Sequence, residues 1–407
     1  MSVRWGVVHP GFGPRGGGEL VGAWVMQALA SEGEVTLVTE KRVDWRAIDA
    51  AFGTELASHW PKLAVKLLPL RDRWLLRILP GRGHRIRRAL LERFARAVAV
   101  QDGIERWIST CDEMRLPYPG AQYVHWPRSP QRTERILWQR IPGAVRVHDA
   151  LARWLGTGAP FGERDNVSWV NSRFTAEAWK RIYASSCTVL YPPVPELVRG
   201  DALRPWAERR DRVVCVGRLF WGKGLERVLR IVNAVRQNGV ALELVLAGRW
   251  DCGARERRAI ERQARAAGAE LQVGVTRTEL GTLLATSRYG LHGMECEPFG
   301  IAVAEMQDAG MIVLAPDTGG PPEILGDGRQ LYHDEVDAVE KLGQLVRDET
   351  LQRELHARAL SRRGLFAPER FVAQLRRSLA EAGPCATWGP TFKVVGSWPS
   401  SVFSMSA

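Results

Sequence analysis

The chain has 407 residues, 45% apolar and 25% charged, which excludes a disordered or fibrous protein and exceeds what one hydrophobic core ordinarily holds. Its net charge is +12, from 50 Arg and only 7 Lys among the cations, an excess that is drawn to phosphates, nucleic acid and anionic membrane surfaces. No apolar run approaches the roughly 18 to 20 residues that span a bilayer, and Cys111, Cys187, Cys215, Cys252, Cys296 and Cys385 form no C-x-x-C pair, so neither a disulfide framework nor a zinc site is expected.

From the N-terminus, Trp5–His9 reads as a short strand running into a Gly-rich turn, with too little apolar length for a signal peptide, so a cytosolic location is expected. Gly16-Gly17-Gly18-Glu19 follows and leads into a helix over Leu20–Ala30; glycines there tolerate positive φ and let a ligand approach the backbone. Strand-like runs at Val35–Thr39, Arg106–Ser109, Gln122–His125, Arg146–Val147 and Val167–Val170 alternate with helical stretches such as Arg85–Val100, the pattern of a parallel sheet covered by helices. Residues 60–96 hold eleven Lys or Arg against Asp72 and Glu92, interleaved with Trp and Leu. That mixture suits an anionic membrane surface, with Trp74, Arg85, Arg87 and Arg88 as its contacts. Nucleic acid would be drawn to the same charge, and plain solvated helix faces in an Arg-rich chain also account for it. His125 ends a strand in Tyr123-Val124-His125-Trp126-Pro127, and Asn171 or Ser172 can cap the helix through Ala176–Tyr183. A strand at Thr188–Tyr191 closes a first domain, 1–191, and the Pro-, Arg- and Glu-rich stretch 192–210 reads as a linker.

The pattern restarts in a second domain, 211–382. Strands at Val213–Val216, Leu242–Ala247, Leu271–Gly274 and Gly290–His292 alternate with helices at Leu225–Asn238, Arg255–Ala267 and Thr278–Ser287. Repeated strand–loop–helix units argue for a doubly wound domain whose ligand sits beyond the C-terminal strand ends. Arg218 and Lys223 lie five apart in the loop after the first of these strands, placed to bend toward a diphosphate. After the last, Glu297 and Glu305 bracket a Pro298-Phe299-Gly300 turn that opens a helix at Ile301, followed by a buried strand and Gly319-Gly320-Pro321-Pro322. A helix N-terminus favours a phosphate, and carboxylates beside it hold hydroxyls; a sugar nucleotide needs both. Residues 383–407, with Trp388, Phe392, Trp398 and Phe403 among Gly, Pro and Ser, match neither half and have no assigned role.

The stretch around Glu297 and Glu305, with Gly310, Gly319, Gly320 and Pro322, resembles the E-x7-E signature of family 4 glycosyltransferases, retaining enzymes of the GT-B fold. Gly217 to Gly224 resembles the G-R-x-x-x-K-G element of that family. The Gly triplet, Val124-His125-Trp126-Pro127, Val170-Asn171-Ser172 and Leu190-Tyr191-Pro192-Pro193 resemble mannosyltransferases that extend dolichol-linked oligosaccharides. The resemblance implies an α/β protein of two doubly wound, Rossmann-like domains facing a cleft, with the acceptor on the N-terminal side and the nucleotide sugar on the C-terminal side. It implies transfer of a hexose to a glycan or lipid-linked glycan, with mannose from GDP-mannose favoured over a UDP-sugar. No cofactor is implied, and the lack of an Asp-x-Asp triplet implies no metal. His125, Arg218, Lys223 and Glu297 are the implied catalytic residues. Gly17, Gly18, Arg218, Lys223, Glu297, Phe299, Gly300, Ile301 and Glu305 are the implied donor contacts, Glu297 reaching the sugar and Glu305 the ribose. Glu295 adds a third carboxylate that competes for the sugar. A sugar-nucleotide epimerase of the same fold, a catalytically silent subunit and a basic nucleic-acid-binding protein are the competing readings.

Overall fold

The computed structural model describes residues 3–13, 16–59, 62–78, 84–118, 120–127, 150 and 166–381. The expected strand at Arg146–Val147, Cys385 and the segment 383–407 lie outside them. The chain divides into two compact units: Met1–Pro193 with the returning helix Pro368–Glu381, and Val194–Ala367.

Among the described residues the first unit is built on seven strands, β1 (Val3–Val8), β2 (Gly33–Thr39), β3 (Leu63–Leu67), β4 (Arg106–Ser109), β5 (Ala121–Val124), β6 (Val167–Val170) and β7 (Thr188–Val189). Every pairing is parallel, in the order β3-β2-β1-β4-β5-β6-β7. The second unit repeats the plan with β8 (Arg210–Leu219), β9 (Glu243–Trp250), β10 (Glu270–Val273), β11 (Ser287–Leu291), β12 (Ile312–Pro316) and β13 (Leu331–Tyr332) in the order β10-β9-β8-β11-β12-β13. Both are the doubly wound arrangement, in which order reverses at the first strand and leaves a crevice at the strand ends beside it. β5, β6 and β12 are buried along their whole length, and β4 from Trp107 onward, as strands covered on both faces must be.

Three features differ from the sequence reading. β3 lies within the basic window, where Lys66 interrupts its apolar run; in the structure Lys66 reaches out to Asp102 at 2.9 Å while the strand pairs with β2. Residues 192–210 are not a free linker. Val194 and Val198 are buried, Trp206 lies tilted against the His356 ring at 4.7 Å and donates to Gln352, and buried Arg209 donates to the carbonyl of Ala309 at 2.9 Å. The helix Pro368–Glu381, expected in the second domain, belongs to the first unit, because it buries Phe371, Leu375 and Leu379 there. Trp169 donates to Ser378 at 2.7 Å and Arg376 pairs with Glu32 at 2.8 Å. Among the described residues no helix is long and apolar enough to cross a membrane.

Leu375 is fully buried in that returning helix. Leu375→Ala is expected to destabilise the first unit by about 2–5 kcal/mol, read as a lower urea midpoint. A midpoint unchanged from wild type would mean that the helix is not part of the unit's core.

Candidate active site

In the second unit the order reversal falls between β8 and β11, and the loops leaving those two strands carry the chemistry. They are held together by backbone-to-backbone packing. A Cβ on Gly224, at φ +71°, would lie 2.2 Å from the Gly293 carbonyl oxygen, and one on Gly293 would lie 2.3 Å from that of Gly224. This contact delivers Lys223 Nζ to Glu297 Oε2 at 2.5 Å. The Gly319-Gly320 pair supports the loop from the other side: Gly320 N–H donates to the Glu297 carbonyl at 2.8 Å, and a Cβ on Gly319 would lie 2.4 Å from that oxygen. Cys296, just before the carboxylate, is one of only three non-glycine residues of positive φ among those described, at +52°. Strain of this kind persists only where the surroundings over-determine it.

Sequence reasoning missed His292, the residue immediately after β11. It is 4% exposed, its carbonyl accepts from the Tyr332 hydroxyl at 2.6 Å, and its Nε2 lies 3.4 Å from Glu297 Oε2, close but too poorly aligned for a full hydrogen bond. The available signal was that a histidine ends the strand feeding the acidic loop, just as His125 ends β5. Burial opposes ionisation of Glu297, but His292 and Lys223 outweigh it and hold its pKa down to about 2. Glu297 is therefore a carboxylate at neutral pH, an acceptor for hydroxyls and not a proton donor.

Glu305 sits one turn and more along the helix Ile301–Asp308. Burial raises its pKa to about 7, only partly offset by Arg277 at 3.9 Å and reinforced by the negative Asp308. The helix follows Gly300, in the left-handed region at φ +103°, and no side chain caps its first turn, leaving first-turn N–H groups for water or a ligand. Ile301 opens the helix; Phe299 does not offer its ring, which is 2% exposed and packed edge-on to Phe366, so its side chain anchors the turn. Arg218 is not in the loop but in the last turns of β8, exposed and paired with Asp251 at 2.7 Å. The structure thus brings Lys223 to Glu297 and gives Arg218 a different carboxylate. Glu295 is 57% exposed and bonded to Arg227 at 2.5 Å, an engagement that draws it away from Glu297.

In the first unit the order reversal lies between β1 and β4. Gly16 precedes the helix Gly17–Ala30 and its N–H donates to Glu19 at 3.0 Å. A Cβ on Gly18 would lie 3.6 Å from His125 Nε2, so the glycine and the imidazole are neighbours, as their positions at two strand ends imply. Asp112 accepts from His125 N–H at 2.7 Å, Asn171 donates to the His125 carbonyl at 2.9 Å, and Ser172 caps the following helix through Thr175 N–H at 3.0 Å. His9, at the end of β1, was not singled out in the sequence. Burial, with His125 nearby, pushes its pKa down to about 3, and Nδ1 lies 2.9 Å from Thr110 Oγ1.

Of the expected membrane contacts, Arg87 is bound to Glu40 at 2.8 Å, Arg88 lies 3.5 Å from Glu92, and Arg85 is half-buried. The Arg87 pair ties the helix His84–Asp102 to the end of β2; Trp74, in contrast, is 62% exposed.

The family described as glycosyl transferases, group 1, matches residues 203–362. The matched residues lie in the second unit, which is thus similar to group 1 glycosyl transferases. A GDP-Man:Man(3)GlcNAc(2)-PP-Dol alpha-1,2-mannosyltransferase of Dictyostelium discoideum is 27% identical over 177 residues, 39% of this chain and 34% of its own length. A phosphatidylinositol N-acetylglucosaminyltransferase GPI3 subunit of Saccharomyces cerevisiae is 25% identical over 152 residues, 35% of this chain and 34% of its own length. The matched stretch is thus about a third of each relative. Anabaena Alr3699/HepE, solved with UDP-glucose, superposes with a TM-score of 0.66 at 14% identity, covering 93% of this chain and 99% of its own, which shows that the fold is GT-B.

The Glu297 ion pair has a pH signature. Its folded pKa, about 2, lies below the ordinary 4.5, so its ionisation stabilises the fold above pH 4.5, and that stability is lost as pH falls toward 2. Lys223→Met is expected to shrink this gain, visible as a urea midpoint that rises less between about pH 3 and pH 6 than in wild type. Superimposable profiles would mean that Lys223 does not hold the charge.

Proposed function

We propose that this chain is a retaining glycosyltransferase that moves a hexose, mannose from GDP-mannose, onto a lipid-linked glycan. The observation that carries the reading is an ionised, buried Glu297 held by Lys223 and His292 at the N-terminal end of an uncapped helix, with Glu305 further along it. Each part has a task in sugar-nucleotide chemistry. The first-turn amides and the positive end of the helix dipole receive a phosphate. Lys223, with Arg218, takes up negative charge as the nucleoside diphosphate leaves. Glu297, charged throughout the neutral range, accepts from sugar hydroxyls, and Glu305 accepts from the ribose. In the first unit, His125 and Gly18 are assigned to the sugar and acceptor. In this scheme no protein carboxylate is a nucleophile: the leaving phosphate accepts the acceptor's proton, and attack occurs on the face that the leaving group vacates.

The choice of donor and acceptor rests on the relatives. One is named for GDP-mannose and a dolichol-linked glycan, the other for a phosphatidylinositol acceptor. Both names join a sugar donor to a lipid-borne acceptor, which supports a lipid-linked acceptor here. The UDP-glucose complex of the structural neighbour shows only that the fold accommodates such a donor in that protein.

Thermal stabilisation by sugar nucleotides tests the donor. A ligand at about 100 times its dissociation constant adds about 2.7 kcal/mol, so GDP and GDP-mannose are expected to raise Tm by several degrees. A shift with UDP-sugars alone would replace the donor; no shift with either would overturn the reading. Retention is tested separately, by the anomeric configuration of the product. Glu297→Ala is expected to abolish transfer, a loss of at least a hundredfold in kcat, while the nucleotide still binds. Because the Glu305 pKa is about 7 and ribose hydroxyls donate to its charged form, donor affinity should rise about tenfold from pH 6 to pH 8. Glu305→Gln should flatten that profile, and an unchanged profile would remove Glu305 from the nucleotide site.

A further inference from the structure

The helix Leu70–Ile78 has two apolar faces. Leu75 and Leu76 pack inward on the core cluster formed with the helix His84–Asp102. Asp72, the only acid in the helix, is also turned inward, 6% exposed and bonded to Arg93 at 2.9 Å. Facing the other way, Leu70, Trp74 and Ile78 recur every four residues and so form one stripe; they are 75%, 62% and 54% exposed. The remaining exposed residues of the helix are Arg71 and Arg77. A helix whose outer face met only water would carry polar residues at the stripe positions. Here every exposed side chain is either large and apolar or cationic.

We infer that this face docks on an anionic lipid surface, the three apolar side chains entering the headgroup boundary and the two arginines meeting lipid phosphates. Charge selects this occupant: the outward face lacks any carboxylate, and the surrounding window 60–96 carries +9. Size points the same way. A nine-residue helix with a three-residue stripe falls short of the roughly 800 Å² per partner of a stable protein interface, whereas an amphipathic helix backed by a folded unit needs only its own width on a bilayer. A tryptophan in the middle suits the headgroup level. Of the contacts expected from sequence this face keeps Trp74; Arg87 and Arg88 are occupied by Glu40 and Glu92, whereas Arg71, 3.7 Å from Asp72, leaves its side chain 81% exposed. The inference deepens the reading of a lipid-linked acceptor, because docking holds the chain where such an acceptor is embedded.

The test is co-sedimentation of the full chain with vesicles of phosphatidylcholine alone and with 30% phosphatidylglycerol, at about 0.1 M salt. Wild type is expected to pellet with the anionic vesicles and at least tenfold less with the neutral ones. A Leu70→Ser, Trp74→Ser, Ile78→Ser variant and a separate Arg71→Glu, Arg77→Glu variant should each lose at least tenfold in partitioning. Both should keep the sugar-nucleotide Tm shift of wild type, which verifies folding and leaves the donor site untouched. Undiminished partitioning in both variants overturns the inference. So does a wild-type dimer that dissociates in the triple variant without any vesicle binding, which would assign the face to a second copy, or a preference for RNA over vesicles. Vesicle binding by a wild type that shifts with no sugar nucleotide supports the docking face and overturns the transferase reading instead.

Discussion

The ion pair between Lys223 Nζ and Glu297 Oε2, 2.5 Å long and largely shielded from water, ties together two loops that leave different strands. A buried carboxylate that lost its partner would face a desolvation cost of several kcal/mol, so the loops cannot separate without protonating or solvating Glu297. The glycines are what permit the contact. Gly224 and Gly293 touch backbone to backbone, Gly319 lies against the Glu297 main chain, and at each of these positions a Cβ would fall within 2.4 Å of a carbonyl oxygen. Glycine there is a requirement of close approach, and the left-handed φ of Gly224 and Gly319 adds a second reason.

The two units solve the same topological problem and differ in what they place at the solution. In each, strand order reverses beside the first strand, and the loops on either side of the reversal converge. The second unit fills its crevice with charge: Lys223, Arg218, Glu297 and Glu305. The first places Gly18 beside His125, just after Gly16 and Gly17 in the chain, with His9 held neutral by burial at a pKa of about 3. Charge suits a diphosphate and polarised hydroxyls, while glycines leave space for close approach to the backbone. The fold supplies only the crevices; the side chains decide the chemistry.

The alternation of strands and helices was legible because fully buried parallel strands read as short apolar runs; β4 and β6 were placed to the residue. Lys66 hid β3, because a lysine in a short run breaks the apolar signal, and only the Asp102 partner shows why it is tolerated. The carboxylate loop was legible from its spacing and its Pro-Phe-Gly turn. Which charge meets which was not, because partners such as Asp251 for Arg218 and Arg227 for Glu295 come from elements 33 and 68 residues away. Phe299 sits inside the motif yet packs in the core, which spacing alone could not reveal. The basic window showed its charge in the sequence, but the division between arginines spent on internal carboxylates and those turned outward required the helix contacts.

That division applies at the proposed donor site as well. Both cations there are already satisfied, Lys223 by Glu297 and Arg218 by Asp251. A diphosphate bound by these two cations would exchange internal ion pairs for pairs with itself. The exchange costs least for Arg218, whose side chain is 56% exposed and whose pair is weakened by solvent. It costs most for Lys223, whose departure would leave Glu297 buried with only His292 beside it. A ligand that supplies phosphate alone would strip Glu297 of its cation and give nothing back. One that also supplies hydroxyls satisfies the abandoned carboxylate in the same event, so the coupling favours an intact sugar nucleotide over a free phosphate. Under the proposed reading, such selectivity would come from the protein's own charge pairing.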